Sequence, residues 1–123
     1  MKKVNTNNFK KTLSKFSTGI TVVCVKNNNL IYGKTVNSFN SLSLNPPMVL
    51  FSLGNYSSSI KKFSKTKFLS INILSSKQKK LSDNFALTEP NLEDIKFIKR
   101  KNKTVIIPNC LANLECELME KIK

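Results

Sequence analysis

Lys34 to Ser59 reads KTVNSFNSLSLNPPMVLFSLGNYSSS, and the fold turns on how this stretch is interpreted. It opens on a small-polar segment, Thr35, Asn37, Ser38, Ser41 and Ser43, rich in donors and ill suited to make a core strand unaided. Pro46 and Pro47 then act as a brake. Met48 to Leu53 is an apolar run with the composition and length of a buried strand. Gly54-Asn55-Tyr56 is turn material, and Ser57, Ser58 and Ser59 precede Ile60-Lys61-Lys62-Phe63, where a helix is expected. A serine-rich helix start offers unpaired N–H groups, hydroxyls and the positive end of the dipole, a natural seat for a phosphate. The same serines also serve as a plain helix cap, and Thr35 to Ser38 taken alone is an ordinary loop.

Working outward, Asn7 or Asn8 can cap a first helix with Phe9, Leu13 and Phe16 on one face and lysines 10, 11 and 15 on the other. This helix is expected to dock on the core and to end at Gly19. Ile20 to Val25 is a β-branched strand, Asn27 to Asn29 a turn, and Leu30 to Tyr32 the hairpin partner. Downstream, a short helix from about Ser58 to Lys65 should turn Ile60 and Phe63 inward. Phe68 to Leu74 alternates as a strand, and Ser75 or Ser76 caps a helix carrying Leu81 and Phe85. A short strand is expected near Ile95 to Ile98, an apolar segment at Val105 to Ile107, and a strand over Leu111 to Met119 with Leu114, Cys116 and Leu118 on one face. Short strands with interspersed helices give a mainly β or α+β class.

At 123 residues the chain, 1-123, is read as one domain with one core. Its formal charge is +14. Residues 1 to 82 hold 14 lysines and no acid, and the seven acids all lie from Asp83 onward. Such a field favours anionic ligands, although a lysine-rich solvated surface produces it equally well. No apolar run has the length of a membrane span, about 20 residues. The basic Met1-Lys2-Lys3 is followed by polar residues where a signal peptide needs an apolar core, so a cytoplasmic protein is expected. Cys24, Cys110 and Cys116 show no paired spacing, and Cys24 reads as a buried thiol. There is no histidine, which excludes Ser-His and Cys-His catalysis and the usual zinc sites. No side chain is assigned a catalytic role and none a metal. An enzyme of this composition needs a cofactor to carry its chemistry.

The order T-x-N-S-F-x-S-x-S-L-x-P-P-x-V-L-F-S-L over Thr35 to Leu53, followed by S-S-S, resembles the flavin reductase-like domain. That family is the FMN-binding split barrel of the reductase components of two-component monooxygenases. The resemblance extends to FKKTLSKFSTGITVVCV (Phe9 to Val25), KFLSINIL (Lys67 to Leu74), LSDNFA (Leu81 to Ala86) and LANLECE (Leu111 to Glu117). It implies a split β-barrel with short flanking helices, and bound FMN or FAD whose ring lies along Thr35, Val36, Asn37 and Ser38. Ser52 and Leu53 would sit near the ring or ribityl chain. Ser57, Ser58 and Ser59 would hold the phosphate, with Lys61 or Lys62 as countercharge. Val36 stands where the family usually has alanine, and Asn45 where aspartate is common. The reaction implied is hydride transfer from NADH or NADPH to the flavin, the protein supplying orientation and electrostatics. A homodimer and a monooxygenase partner are implied as well. Family members continue past the L-E-C-E segment with further strands and a histidine near the nicotinamide. The resemblance therefore implies a chain that stops short of the last strands, with an open edge at Leu114 to Met119.

Two other readings remain. A non-catalytic flavin binder on the same barrel shares every motif. A basic nucleic-acid-binding module is suggested by charge alone, against which stand a single arginine, Arg100, no tryptophan and no binding signature.

Overall fold

The longest strand pairing starts at Asn27-Asn28-Asn29-Leu30. Asn28 and Asn29 take φ of 51° and 66° in the computed structural model, the left-handed pair that a two-residue hairpin turn needs and that asparagine tolerates. The structure describes residues 3–15, 19–54 and 60–122. This turn joins β1 (Thr21–Asn27) to β2 (Leu30–Val36) in unbroken antiparallel register from Asn27↔Leu30 to Thr21↔Val36. β5 (Phe68–Ile73) lies on the other side of β1, and β8 (Ala112–Glu117) beyond it, giving a four-stranded antiparallel sheet in the order β2-β1-β5-β8. No barrel closes among the described residues, and β8 pairs only with β5 there.

Strand alternation splits the sheet into two working faces. One carries Val22 and Cys24, capped by Phe85 from α3 (Lys79–Phe85) and by Val105 and Ile107. Val105 belongs to β7 (Val105–Ile106), which pairs with β6 (Ile98–Lys99). The other face carries Val23, Val25, Val36, Leu69 and Ile71 beneath Phe63 of α2 (Ile60–Ser64). Phe39, Val49, Phe51 and Leu53 close over that second face from the hairpin of β3 (Asn40–Leu44) and β4 (Pro47–Leu50). Ser75 opens a single 3-10 turn, Ser76–Gln78, ahead of α3, with the Gln78 side chain accepting from the Ser75 amide at 2.9 Å.

β5 lies at the centre and is buried on both faces, which changes the meaning of its polar alternation. Ser70 and Asn72 are fully buried. Ser70 Oγ donates to the Val105 carbonyl at 2.6 Å. The Asn72 amide donates to the Val22 carbonyl (2.9 Å) and to Ser70 Oγ (3.1 Å), and its oxygen accepts from Ile107 N (3.0 Å) and Asn113 Nδ2 (2.7 Å). A buried amide with every group paired acts as a directional bolt, here fastening residues 105–107 to the sheet.

Four expectations are corrected. The first helix exists as α1 (Thr6–Ser14), but Asn5 caps it, through bonds from the Asn7 and Asn8 amides, and it ends before Gly19. Its described residues do not dock: Phe9 and Leu13 are each about half exposed and no residue of the helix is buried, while Phe16 lies outside the described residues. Two apolar side chains on nine residues find the central strands β1 and β5 already covered on both faces by other lids. The partner of β1 runs on to Val36, so Thr35 and Val36 are strand, held by ladder bonds that a polar composition does not forbid. Met48 to Leu53 is not a buried strand. Only Pro47–Leu50 is strand, in a two-stranded ribbon with one apolar side on the core and Leu50 exposed. Pro47 sits at the end of that ribbon opposite Leu44, a place where proline's missing N–H costs nothing.

Candidate functional site

The nine residues singled out by sequence fall into two strand ends and a segment that lies outside the described residues. Thr35 and Val36 end β2, and Asn37 and Ser38 follow it. Ser52 and Leu53 follow β4. Ser57, Ser58 and Ser59, the expected phosphate seat, lie outside the described residues.

The first two groups are brought together by a clasp. Ser38 Oγ accepts from the Ser52 amide at 2.8 Å and donates to the Ser52 carbonyl at 3.2 Å. One hydroxyl thus imitates a ladder pair where the strands have already ended, and holds the 37–39 and 51–54 segments side by side. Both segments lie outside the sheet ladders; the clasp occupies the Ser52 N–H and C=O, so the backbone groups of Asn37, Ser38 and Leu53 are the polar edge that the arrangement can offer a ligand.

The other side chains have prior commitments. Thr35 Oγ1 donates to the Ser82 carbonyl at 2.7 Å, tying β2 to α3. Val36 is buried in the second-face core, and its carbonyl accepts from Thr21 Oγ1 at 3.0 Å. Asn37 is exposed and Leu53 half-buried against the core. Of the two lysines expected as countercharge, Lys62 has its ammonium 3.9 Å from the centre of the Tyr32 ring, a cation–π arrangement that fixes one positive charge over β2. Lys61 is exposed.

This set suits a flavin ring in one respect and restricts it in another. A flat heterocycle with alternating donors and acceptors on one edge matches a pair of adjacent, antiparallel backbone segments freed from the ladder. The hydroxyls of Thr35 and Ser38 are spent inside the protein, so any ring contact from 35–38 would fall to the backbone and to Asn37. An open groove of about 890 Å³ runs between Gln78, Leu81, Ile95 and Pro108. It includes none of the nine residues, and its lining comes from the α3 side of the sheet.

Sequence reasoning missed the Ser38–Ser52 clasp, the Thr35–Ser82 bond and the stacking of Lys62 on Tyr32. Each joins positions at least 14 residues apart, and no local pattern marks them. Elsewhere, the sole arginine is engaged: Arg100 Nε lies 3.2 Å from Glu115 Oε2. The three cysteines are free thiols. Burial pushes Cys24 up to about 12, and also raises Cys110 and Cys116, so all three stay protonated at neutral pH.

Comparison with known proteins agrees with this architecture. The FMN reductase (NADH) SmoA of Agrobacterium fabrum is 37% identical over 112 residues, covering 91% of this chain and 64% of that protein. The flavin-dependent monooxygenase reductase subunit HsaB of Mycobacterium tuberculosis is 33% identical over 109 residues, covering 88% of this chain and 58% of that protein. The solved structure of the flavin reductase PheA2 in its native state superposes with a TM-score of 0.85 at 34% identity, covering 98% of this chain and 78% of that one. The chain thus spans about three-fifths of the length of these two curated relatives. Residues 13–123 match the model of the flavin reductase like domain, and by that match, by its relatives and by its fold this chain belongs to the flavin reductase like domain family.

Proposed function

We propose that this chain binds FMN, or FAD in its place, and serves as an NAD(P)H:flavin oxidoreductase that supplies reduced flavin to a monooxygenase. The observation that carries the reading is the Ser38–Ser52 clasp, which presents ladder-free backbone at the family's most specific motif. Relatives named as an FMN reductase using NADH and as a monooxygenase reductase subunit support it. When bound, the flavin supplies the hydride-accepting centre, which is why a chain without histidine can serve.

The chain's own residues do three things in this account. The backbone of Asn37 and Ser38, with Leu53 opposite, orients the ring edge, and Ser52 holds the two segments together through the clasp. Ser57 to Ser59 hold the phosphate, in a stretch of sequence free of acids. Lys62 over Tyr32 adds fixed positive potential on the same side of the sheet as the hairpin. Thr35 and Val36 act from the strand end, positioning the segment through Ser82 and the core rather than by side-chain contact with the ring. The protein works as a homodimer in the cytoplasm, in keeping with its three free thiols.

The experiment is a pair of spectra. Purified chain mixed with FMN should shift the visible flavin absorbance, and anaerobic NADH or NADPH should then bleach it faster than free flavin is bleached. Binding without faster bleaching would leave a flavin-binding protein and refute the reductase. No shift at all would refute both.

A further inference from the structure

We infer that the groove on the α3 side of the sheet is a second binding site, separate from the candidate flavin segment, and that its ligand is a small organic monoanion with an apolar body. The inference goes beyond the reductase proposed above and does not rest on it. Shape and charge carry it.

The groove has a volume of about 890 Å³, and three stretches line it: the turn into α3, the segment 94–96 ahead of β6, and residues 107–109 at the end of β7. Small-molecule sites run to about 300–1,000 Å³, mostly apolar with a few placed polar groups. A protein partner would instead need about 800 Å² of surface on each side. Leu81 and Ile95 pack against the buried cluster to which Ile107 belongs, and all three line the groove. The lining is braced without any ligand. Gln78 Nε2 donates to the Pro108 carbonyl at 3.0 Å, while Gln78 Oε1 accepts from the Ser75 amide at 2.9 Å. Ile107 N donates to the buried Asn72 Oδ1 at 3.0 Å, which fixes that stretch to β5. A groove held in this way loses little freedom when it is filled.

Charge selects the ligand. Lys77 and Lys96 enter from different stretches, and Asp94 is the one carboxylate among the described lining residues. All three are exposed, and none makes an ion pair among the described residues. Two ammonium groups against one carboxylate leave a single net positive charge beside apolar surface. A monoanion with an apolar body satisfies both. A neutral apolar molecule leaves the lysines unused, and a dianion meets the Asp94 carboxylate. The flavin does not compete for this space. None of the nine residues assigned to it lines the groove. The groove opens on the face of Val22, Cys24 and Phe85, whereas Val36 and Leu53 belong to the opposite face.

Equilibrium dialysis of 1-naphthoate against the full chain at pH 7 tests this, with 1-naphthamide as the neutral match and naphthalene-1,4-dicarboxylate as the dianion. Naphthoate should bind saturably, one per chain, more tightly than either analogue, and should loosen as salt is raised. Lys77→Ala with Lys96→Ala should weaken it by about fivefold, the scale of two exposed ion pairs. Asp94→Asn should tighten it. These side chains are exposed, so the fold is kept. Lys10→Ala with Lys11→Ala, the same loss of charge on α1, should leave naphthoate binding unchanged. Saturating FMN should not displace the probe. No saturable binding, an amide that binds as tightly as the acid, or weaker binding to Asp94→Asn would overturn the inference. So would equal weakening by the α1 pair, which would show only the general field of a basic protein, or displacement by FMN. Naphthoate bound by a chain that takes up no FMN would refute the flavin reading and leave this site standing.

Discussion

Gly33→Ala should destabilise this protein by about 2 kcal/mol, and the cause is space rather than backbone conformation. Gly33 pairs with Cys24 in the β1–β2 ladder, and its φ is not positive. A Cβ built there would lie 2.6 Å from Phe85 Cδ1 and 3.3 Å from Cζ, with Cε1 nearer still. Unstrained carbon contacts begin near ~3.5 Å. The ring cannot step aside, because Phe85 is fully buried among Val22, Leu74, Val105 and Ile107. Overpacking of this kind costs ~1–3 kcal/mol, and the upper half applies to a rigid ring. The stiffer unfolded chain of alanine returns about 0.4–1 kcal/mol. With a urea slope of ~1–3 kcal/mol/M, the midpoint followed by far-UV circular dichroism should fall by about 1 M. Phe85→Leu in the same chain should cost much less than its cost in wild type, with a coupling of ~1 kcal/mol or more. An unchanged midpoint, or strict additivity of the two changes, would refute the reasoning.

Asn72→Ala should cost about 2 kcal/mol by urea unfolding, since it leaves the buried Ile107 amide without its partner and removes the side-chain bonds to Val22, Ser70 and Asn113; a loss under ~1 kcal/mol would show that water replaces the side chain. Cys24 should resist a thiol reagent in native protein at pH 8, where its thiol stays protonated, while Cys110 and Cys116 react sooner; prompt labelling of all three without unfolding would contradict the burial. The same burial has a pH consequence. Because the folded value of Cys24 is raised from 9.0 to about 12, its contribution is fully present below 9 and is lost as pH rises toward 12. Cys24→Ala should therefore show a shallower loss of stability over that alkaline window than wild type, measured by urea midpoints at each pH.

Where local rules and tertiary needs agree, the sequence was readable. The β1–β2 turn announces itself through three asparagines, β5 through alternation, and Phe85 through its spacing from Leu81. The misreadings share one cause, a partner far away in the chain. The burial of Ser70 and Asn72 has no local sign either, because it comes from Val105 and Ile107, 35 residues on. Phe9 and Leu13 look like a docking face, but the lids from α2, α3 and the ribbon had taken both sides of the central strands. At the candidate site, the motif order was legible as a family pattern. The division of labour inside it was not, because Thr35 finds Ser82 across 47 residues and Ser38 finds Ser52 across 14.

The central claim is that ladder-free backbone held by the Ser38–Ser52 clasp receives the flavin ring. Ser38→Ala removes both clasp bonds. They lie at the surface, so stability should fall by no more than ~1 kcal/mol. Equilibrium titration of FMN into wild type and Ser38→Ala is the direct measurement. The account predicts saturable binding to wild type and at least about tenfold weaker binding to the variant, ~1.4 kcal/mol. Equal affinity in two equally folded proteins, or no binding to either, would contradict it.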